Sequence, residues 1–216
     1  MGSPDTRQLA RDSLLGLAVG DALGAGSEGH SMRPTPIRDL TPPRGVVLRW
    51  TDDTQMAVSV VENLLEHGEV DQDRLAQAFA RRYESHRGYG AGMHGLLNRL
   101  RQGVDWREAR FGNFPDGSYG NGSAMRVAPL GAFLADTPVD TVVEQAARSA
   151  VVTHPQGVAG AVATALAAWH AARSRGGPAP DGAGLLEAIA ATLSADSAVA
   201  RGLASAWELP QTTPLS

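Results

Sequence analysis

The chain has 216 residues, a length that a single hydrophobic core can serve, so residues 1–216 are read as one domain. Apolar residues make up 43%, charged residues 19%, and the net charge is −4; no basic stripe is available to neutralise phosphates, which argues against general nucleic-acid binding. Without cysteine there is no disulfide, thiolate nucleophile or cysteine zinc site, and the lack of a leader pattern or membrane-length apolar run makes a cytoplasmic protein with no membrane partner the expectation.

Helical periodicity dominates from the N-terminus. Leu9, Ala10, Leu14, Leu17 and Ala18 recur at three- and four-residue steps, with Asp5 or Thr6 placed to cap. The end of this helix carries Gly16, Gly20 and Gly24, a stripe that reads as a tight helix–helix contact. Asp21 sits among them and either needs a partner or marks a site, while Glu28 follows in a Gly-rich loop, free to point into a cleft. A loop with several Pro and Gly covers 24–45, and Val46-Val47-Leu48 is expected to be extended loop rather than sheet strand.

Trp50-Thr51-Asp52-Asp53-Thr54 opens the next helix, expected over 53–66 with a stop near Gly68. Thr51 suits an N-cap, and the macrodipole favours acids in the first turn. That explains one carboxylate comfortably and a second less well, because neighbouring ionised Asp repel unless hydrogen bonds or a cation compensate. An oxygen-only cluster of Thr and Asp suits a hard ion such as Mg²⁺, so metal binding and a plain acidic helix start both stand.

Asp71 is placed to cap a third helix with Leu75, Ala78, Phe79 and Tyr83 on one face. Further helical patterns cover 93–100, 123–134, 139–151, 156–173, 184–193 and 198–207, and the whole reads as compact, multi-helical and all-α. Gly117-Ser118-Tyr119-Gly120-Asn121-Gly122 lies in a Gly- and Asn-rich loop ahead of Arg126. Its backbone N–H groups, with the positive end of the helix behind, form either an anion nest suited to phosphate or a structural turn. His154, in Thr153-His154-Pro155 at the start of an Ala-rich helix, is either a ligand contact or a structural histidine. The other five histidines have no ligand-like spacing.

Taken in order, Gly-Asp-Ala-x-Gly with a trailing Glu28, Trp-Thr-Asp-Asp-Thr-x-Met, Gly-Asn-Gly-x-x-Met-Arg-x-x-Pro-Leu-Gly and Thr-His-x-x-x-x-Ala resemble the ADP-ribosylglycohydrolase family, which includes the dinitrogenase reductase-activating glycohydrolases. Arg87-Gly88-Tyr89-Gly90 is similar to a family loop near the cleft, and the resemblance runs from about 14 to 169. It implies an all-α fold whose cleft holds two Mg²⁺ ions and removes ADP-ribose from modified protein side chains or small-molecule conjugates. On the matching positions, Thr51, Asp52 and Asp53 would ligate metal, and Glu28 would serve as ligand or acid/base, so that Glu28, Asp52 and Asp53 carry the catalysis. Gly117, Ser118, Tyr119, Gly120 and Asn121 would hold the pyrophosphate and adjoining ribose, His154 would contact the same ligand, and Asp21 would give structural support.

One family feature is missing from this sequence. Members carry a Gly-Gly-Asp-x-Asp-Thr segment that completes the two metal sites, yet Asp181, Glu187, Asp196 and Glu208, the acids after residue 155, show no such arrangement. The expectation is a C-terminally truncated domain with an incomplete second Mg²⁺ site, completed by a second chain or a further C-terminal segment. Two alternatives to a hydrolase follow: a non-catalytic ADP-ribose-binding protein or fragment, and a scaffold that has discarded the ligand.

Overall fold

The computed structural model describes residues 4–27, 45, 47–174, 182–195 and 197–207. Helix α1 (Pro4–Gly24) runs into a short 3-10 turn, Ala25–Ser27, and α2 (Asp52–His67), α3 (Gln72–Arg82) and α4 (Ala91–Arg101) follow. A one-turn helix, α5 (Trp106–Ala109), and a 3-10 turn, Asn121–Ser123, precede α6 (Ala128–Phe133) and α7 (Val139–Val151). Helices α8 (Val158–Ser174), α9 (Gly182–Thr192) and α10 (Ala198–Trp207) complete the order. No strand occurs among the described residues, and the fold is all-α. Val47 and Leu48 are irregular and exposed, as expected; Val46 lies outside the described residues.

Local chemistry sets several boundaries. Gly68 ends α2 in the left-handed region at φ 77°, donating its N–H to the Leu64 carbonyl at 2.8 Å. Asp71 caps α3 by accepting from the Arg74 N–H at 3.0 Å. The turn between them is held from both sides. Asn63 bonds both backbone groups of Asp71, while Gln145 accepts from the Val70 N–H and Arg148 donates to the Val70 carbonyl, tying the turn to α7.

The buried core runs through α2, α3, α4, α6, α7 and α8, with Met56, Val60, Leu64, Phe79, Leu130, Val142 and Leu166 fully enclosed. Burying side chains of this size supplies about 1.5–3 kcal/mol each, before entropy is counted. Helix α8 is apolar around most of its circumference and packs on α6 and α7.

Three sequence expectations fail here. Pro4 is already helical, so Asp5 and Thr6 lie inside α1 and not at its N-cap. The helix expected over 123–134 is split, and α6 begins only at Ala128. Pro129 stands at the start of α6; in a helix interior its ring would clash with the carbonyl four residues earlier. Among the described residues the glycine stripe of α1 makes no tight contact either. A Cβ added at Gly16, Gly20 or Gly24 would meet no described atom within 4 Å. The close crossing lies at Gly131 in α6, where an added Cβ would sit 2.0 Å from the Ala165 carbonyl oxygen of α8.

Candidate active site

The site begins where α1 meets α2. Asp21, near the end of α1, accepts from the Thr51 N–H (2.8 Å) and Oγ1 (2.7 Å), and from the Thr54 N–H (3.2 Å) and Oγ1 (2.5 Å). The N-terminus of α2 is therefore capped in trans. Thr51 occupies the N-cap position, but its own side chain makes no capping bond. The sequence could not show this, because the donor and acceptor are 30 residues apart. Having given its proton to Asp21, the Thr51 hydroxyl keeps only lone pairs, the state in which it can face a cation.

Backbone from a second loop closes on the same turn. The Asp52 N–H donates to the Arg87 carbonyl at 2.7 Å, and the Arg87 guanidinium lies 3.3 Å from the Trp50 ring centroid. Gly88 adopts φ 86°, and a Cβ there would come 3.6 Å from Asp52 Oδ1, so this left-handed turn lies against Asp52 and Thr51. Tyr89, behind Asp52, donates to Gln55 Oε1 at 2.7 Å. Burial, followed by the charge of Asp52, holds the Tyr89 phenol well above its usual pKa.

A cavity of about 280 Å³ opens beside Asp52. Of the sequence-predicted residues, it brings together Asp52, Ser118, Gly120, Asn121 and His154. These come from three stretches of chain separated by tens of residues. Thr51, Asp53, Gly117 and Tyr119 do not line it, although each adjoins a residue that does. Tyr119 is 77% exposed, and Gly117 takes φ 90° with Pro155 packed against it. Glu28 lies outside the described residues.

The loop that reads as an anion nest differs from expectation in one respect. It is followed by the single 3-10 turn at Asn121–Ser123 and not by a long helix, so the helix starts that edge the cavity are those of α4, through Gly90–Met93, and of α2, through Asp52. The glycines matter for packing instead. A Cβ at Gly122 would fall 2.5 Å from His154 Cε1, and one at Gly157 would fall 2.5 Å from Ser123 Oγ. Only glycine lets the loop close on the imidazole.

Arg126 does not reach the cavity. It is fully buried and donates to the carbonyls of Gly122 (2.9 Å) and Ser149 (2.8 Å) and to Thr153 Oγ1 (2.9 Å), with its guanidinium 4.6 Å from the Phe79 ring centroid. Among the described residues no carboxylate pairs with it. Burial lowers its pKa to about 9, which leaves it charged at neutral pH. Next along, Thr153 Oγ1 lies 2.7 Å from His154 Nδ1. Burial, and then the charge of Arg126, pushes His154 down to about 3.

Sequence reasoning missed the cavity's apolar wall, Met93 and Leu96 of α4, and Arg110 and Phe114 of the loop that lies over it. Helical spacing places the first two only within a helix over 93–100, and nothing local marks which residues of a helix edge a cavity. His94, given no role, bonds Tyr83 at 2.5 Å and stacks edge-on against both Tyr83 and Tyr89.

For the implied Mg²⁺, the described donors are hard oxygens of the right kind: Thr51 Oγ1 and the Asp52 and Asp53 carboxylates. No three acidic or histidine side chains converge anywhere among the described residues. The residues present thus fit part of a magnesium shell.

The ADP-ribosylglycohydrolase family model matches residues 2–215. The chain is 36% identical over 175 residues to ADP-ribosylhydrolase ARH3 of Xenopus tropicalis, covering 74% of this chain and 49% of that protein. To ADP-ribosylhydrolase ARH3 of Gallus gallus it is 38% identical over 179 residues, covering 73% and 48%. The solved structure of an ADP-ribosylglycohydrolase-related protein complex superposes with a TM-score of 0.60 at 30% identity, over 96% of this chain and 70% of that one. The chain spans about half the length of these curated relatives. By its matched length, its helical fold and its ordered motifs, the chain belongs to the ADP-ribosylglycohydrolase family.

Proposed function

We propose that the chain carries the nucleotide-binding wall and part of the metal site of a Mg²⁺-dependent hydrolase that releases ADP-ribose from modified protein side chains or small-molecule conjugates. The observation that carries this reading is the shared cavity, which Asp52 lines together with Ser118, Gly120, Asn121 and His154. A ligand anionic at one end and rich in hydroxyls at the other matches that polarity. The names of the ARH3 relatives and the family match support the same chemistry.

In this reading Thr51, Asp52 and Asp53 are metal ligands, with Glu28 as a further ligand or as the acid/base. Bound Mg²⁺ would supply Lewis-acid polarisation and a template for the hydroxyls of the distal ribose. Asp21 holds Thr51 with its lone pairs free. Ser118, Gly120 and Asn121, which line the cavity, hold the pyrophosphate and adjoining ribose, with Gly117 and Tyr119 shaping the same loop beside them, and His154 adds a hydrogen bond. Held this way, the anomeric carbon loses its leaving group with oxocarbenium character. One water supplies the oxygen that replaces the departing atom, and its proton balances the leaving group, with Glu28 relaying it.

Metal donors beyond these four residues are proposed to come from a further polypeptide segment or a second chain, and the location is proposed to be cytoplasmic. No helix among the described residues is long and apolar enough to cross a membrane. Among the described residues no three-acid cluster forms, which favours a second reading, an ADP-ribose binder without turnover. Measuring ADP-ribose release with Mg²⁺, alongside calorimetric titration with ADP-ribose, separates the two. Turnover lost on Asp52→Ala supports the hydrolase; heat of binding without turnover supports the binder; neither, in a folded sample, removes both.

A further inference from the structure

The buried chain Arg126–Thr153–His154 has a directionality that its distances alone do not state. A guanidinium can only donate, so at 2.9 Å Arg126 gives a hydrogen to Thr153 Oγ1. The hydroxyl has one proton of its own to place. Thr153 is 1% exposed, and the polar atom within reach is His154 Nδ1 at 2.7 Å. If Nδ1 carried a hydrogen, Thr153 would have to accept from both sides, and its own proton would be buried without an acceptor, a costly arrangement. The lower-energy network sends the Thr153 proton to Nδ1.

We propose that Arg126, acting through Thr153, locks His154 in the tautomer with a bare Nδ1 and a protonated Nε2, so that the ring offers the cavity a hydrogen-bond donor and never an acceptor. The other ring nitrogen has the space this requires. Among the described residues no protein group bonds Nε2, and it sits beside the glycines of the loop: a Cβ on Gly122 would lie 2.7 Å from it and one on Gly120 3.4 Å. Both glycines and His154 line the same cavity. Double protonation is opposed by burial and by the Arg126 charge, as the depressed His154 pKa of about 3 reflects.

Arg126 and Thr153 are therefore positioning residues. A fixed Nε2–H selects for a ligand atom that only accepts, such as an anionic oxygen, and against a hydroxyl that needs an acceptor. The identity of that anion as a pyrophosphate rests on the ADP-ribose reading above; the tautomer itself does not.

Long-range ¹H–¹⁵N correlation on the full chain with ¹⁵N-labelled histidine tests this directly at pH 7 without ligand, His154 being assigned by its loss in His154→Gln. The expected result is a bare-nitrogen shift at Nδ1 and a protonated shift at Nε2, with roughly tenfold or greater excess of that tautomer. Thr153→Ser keeps the pattern, and Thr153→Val moves both nitrogens toward averaged or reversed values. A protonated Nδ1 in the unaltered chain overturns the proposal, as does a folded Thr153→Val variant with an unchanged pattern. Should Thr153→Val not fold, the unaltered chain and Thr153→Ser decide. Adding ADP-ribose then examines the cavity separately: an unmoved Nε2 signal counts against the ADP-ribose reading and leaves the lock standing.

Discussion

Replacing Gly131 with alanine sets a small local gain against a large tertiary cost. Within α6 the substitution favours the helix by about 1 kcal/mol, because alanine loses less backbone entropy than glycine. Across the interface, the new Cβ would lie 2.0 Å from the Ala165 carbonyl oxygen and 3.0 Å from the Trp169 nitrogen, both backbone atoms of α8. Neither can rotate aside. Ordinary contact requires the two helices to separate by about 1.4 Å, which opens the core around Leu130 and Leu166 and removes dispersion contacts along the crossing. Overpacking of this kind costs about 1–3 kcal/mol, and the rigid backbone puts Gly131→Ala at the upper end. A net loss of about 2 kcal/mol is expected, or roughly 4–8 °C in Tm for a chain of this size. Gly20→Ala provides the opposite sign, since nothing described lies within 4 Å and the helical preference acts alone, for a gain of about 0.5–1 kcal/mol. Urea denaturation of both variants measures the pair. Equal signs, or an unharmed Gly131→Ala protein, would refute the packing argument.

Acid titration offers a second test. The folded His154 pKa of about 3 lies below its ordinary 6.5, so between those values the unfolded chain binds a proton that the folded chain refuses. The stability His154 allows is complete above about pH 6.5 and drains away toward pH 3, at no more than about 1.4 kcal/mol per pH unit. His154→Gln should flatten that slope relative to the unaltered protein; parallel stability–pH curves would show that the imidazole is not held neutral. Asp21→Asn replaces one of two accepting oxygens with a donor facing donors, and a loss of about 2–3 kcal/mol is expected in denaturant melts. An unchanged midpoint would mean that α2 does not need its cap from α1. Asp52→Ala and Asp53→Ala should each abolish Mg²⁺-dependent ADP-ribose release in any active form, by about 10²-fold or more, and full release by the double variant would discard the metal assignment. Finally, ADP-ribose should raise Tm in a concentration-dependent way, which a thermal-shift series with and without Mg²⁺ reads out.

Much of the architecture was legible because it is written locally. The Asp71 cap, the Gly68 stop and the apolar faces of α2, α3 and α7 depend on residues within a few positions of one another, so spacing exposes them. The residues of the cavity were legible for a different reason: the chemistry of Asp52, the Ser118–Asn121 glycine loop and His154 is unusual enough to be noticed before they are known to meet. A local pattern misleads where the contact it suggests is set by a distant segment. The Gly16, Gly20 and Gly24 stripe looks like a packing groove, yet what stands opposite a glycine is set by another helix, and the real crossing glycine, Gly131, stands alone in its segment. Arg126 follows a Gly-rich loop in sequence, yet its partners Ser149 and Thr153 come from α7 and the turn behind it, 23 and 27 residues on.

Residue order by itself determined the helical class, most helix limits, the absence of thiol chemistry and the set of oxygen and backbone donors available to a ligand. Those follow from short-range periodicity and from side-chain chemistry, which every residue carries wherever it ends up. Tertiary structure alone decided that Asp21 caps a helix 30 residues away, that α6 lies against the α8 backbone, and that the buried cation orients a histidine without touching the ligand space. Each of these depends on distances between segments remote in sequence, and such distances come into being only when the helices pack.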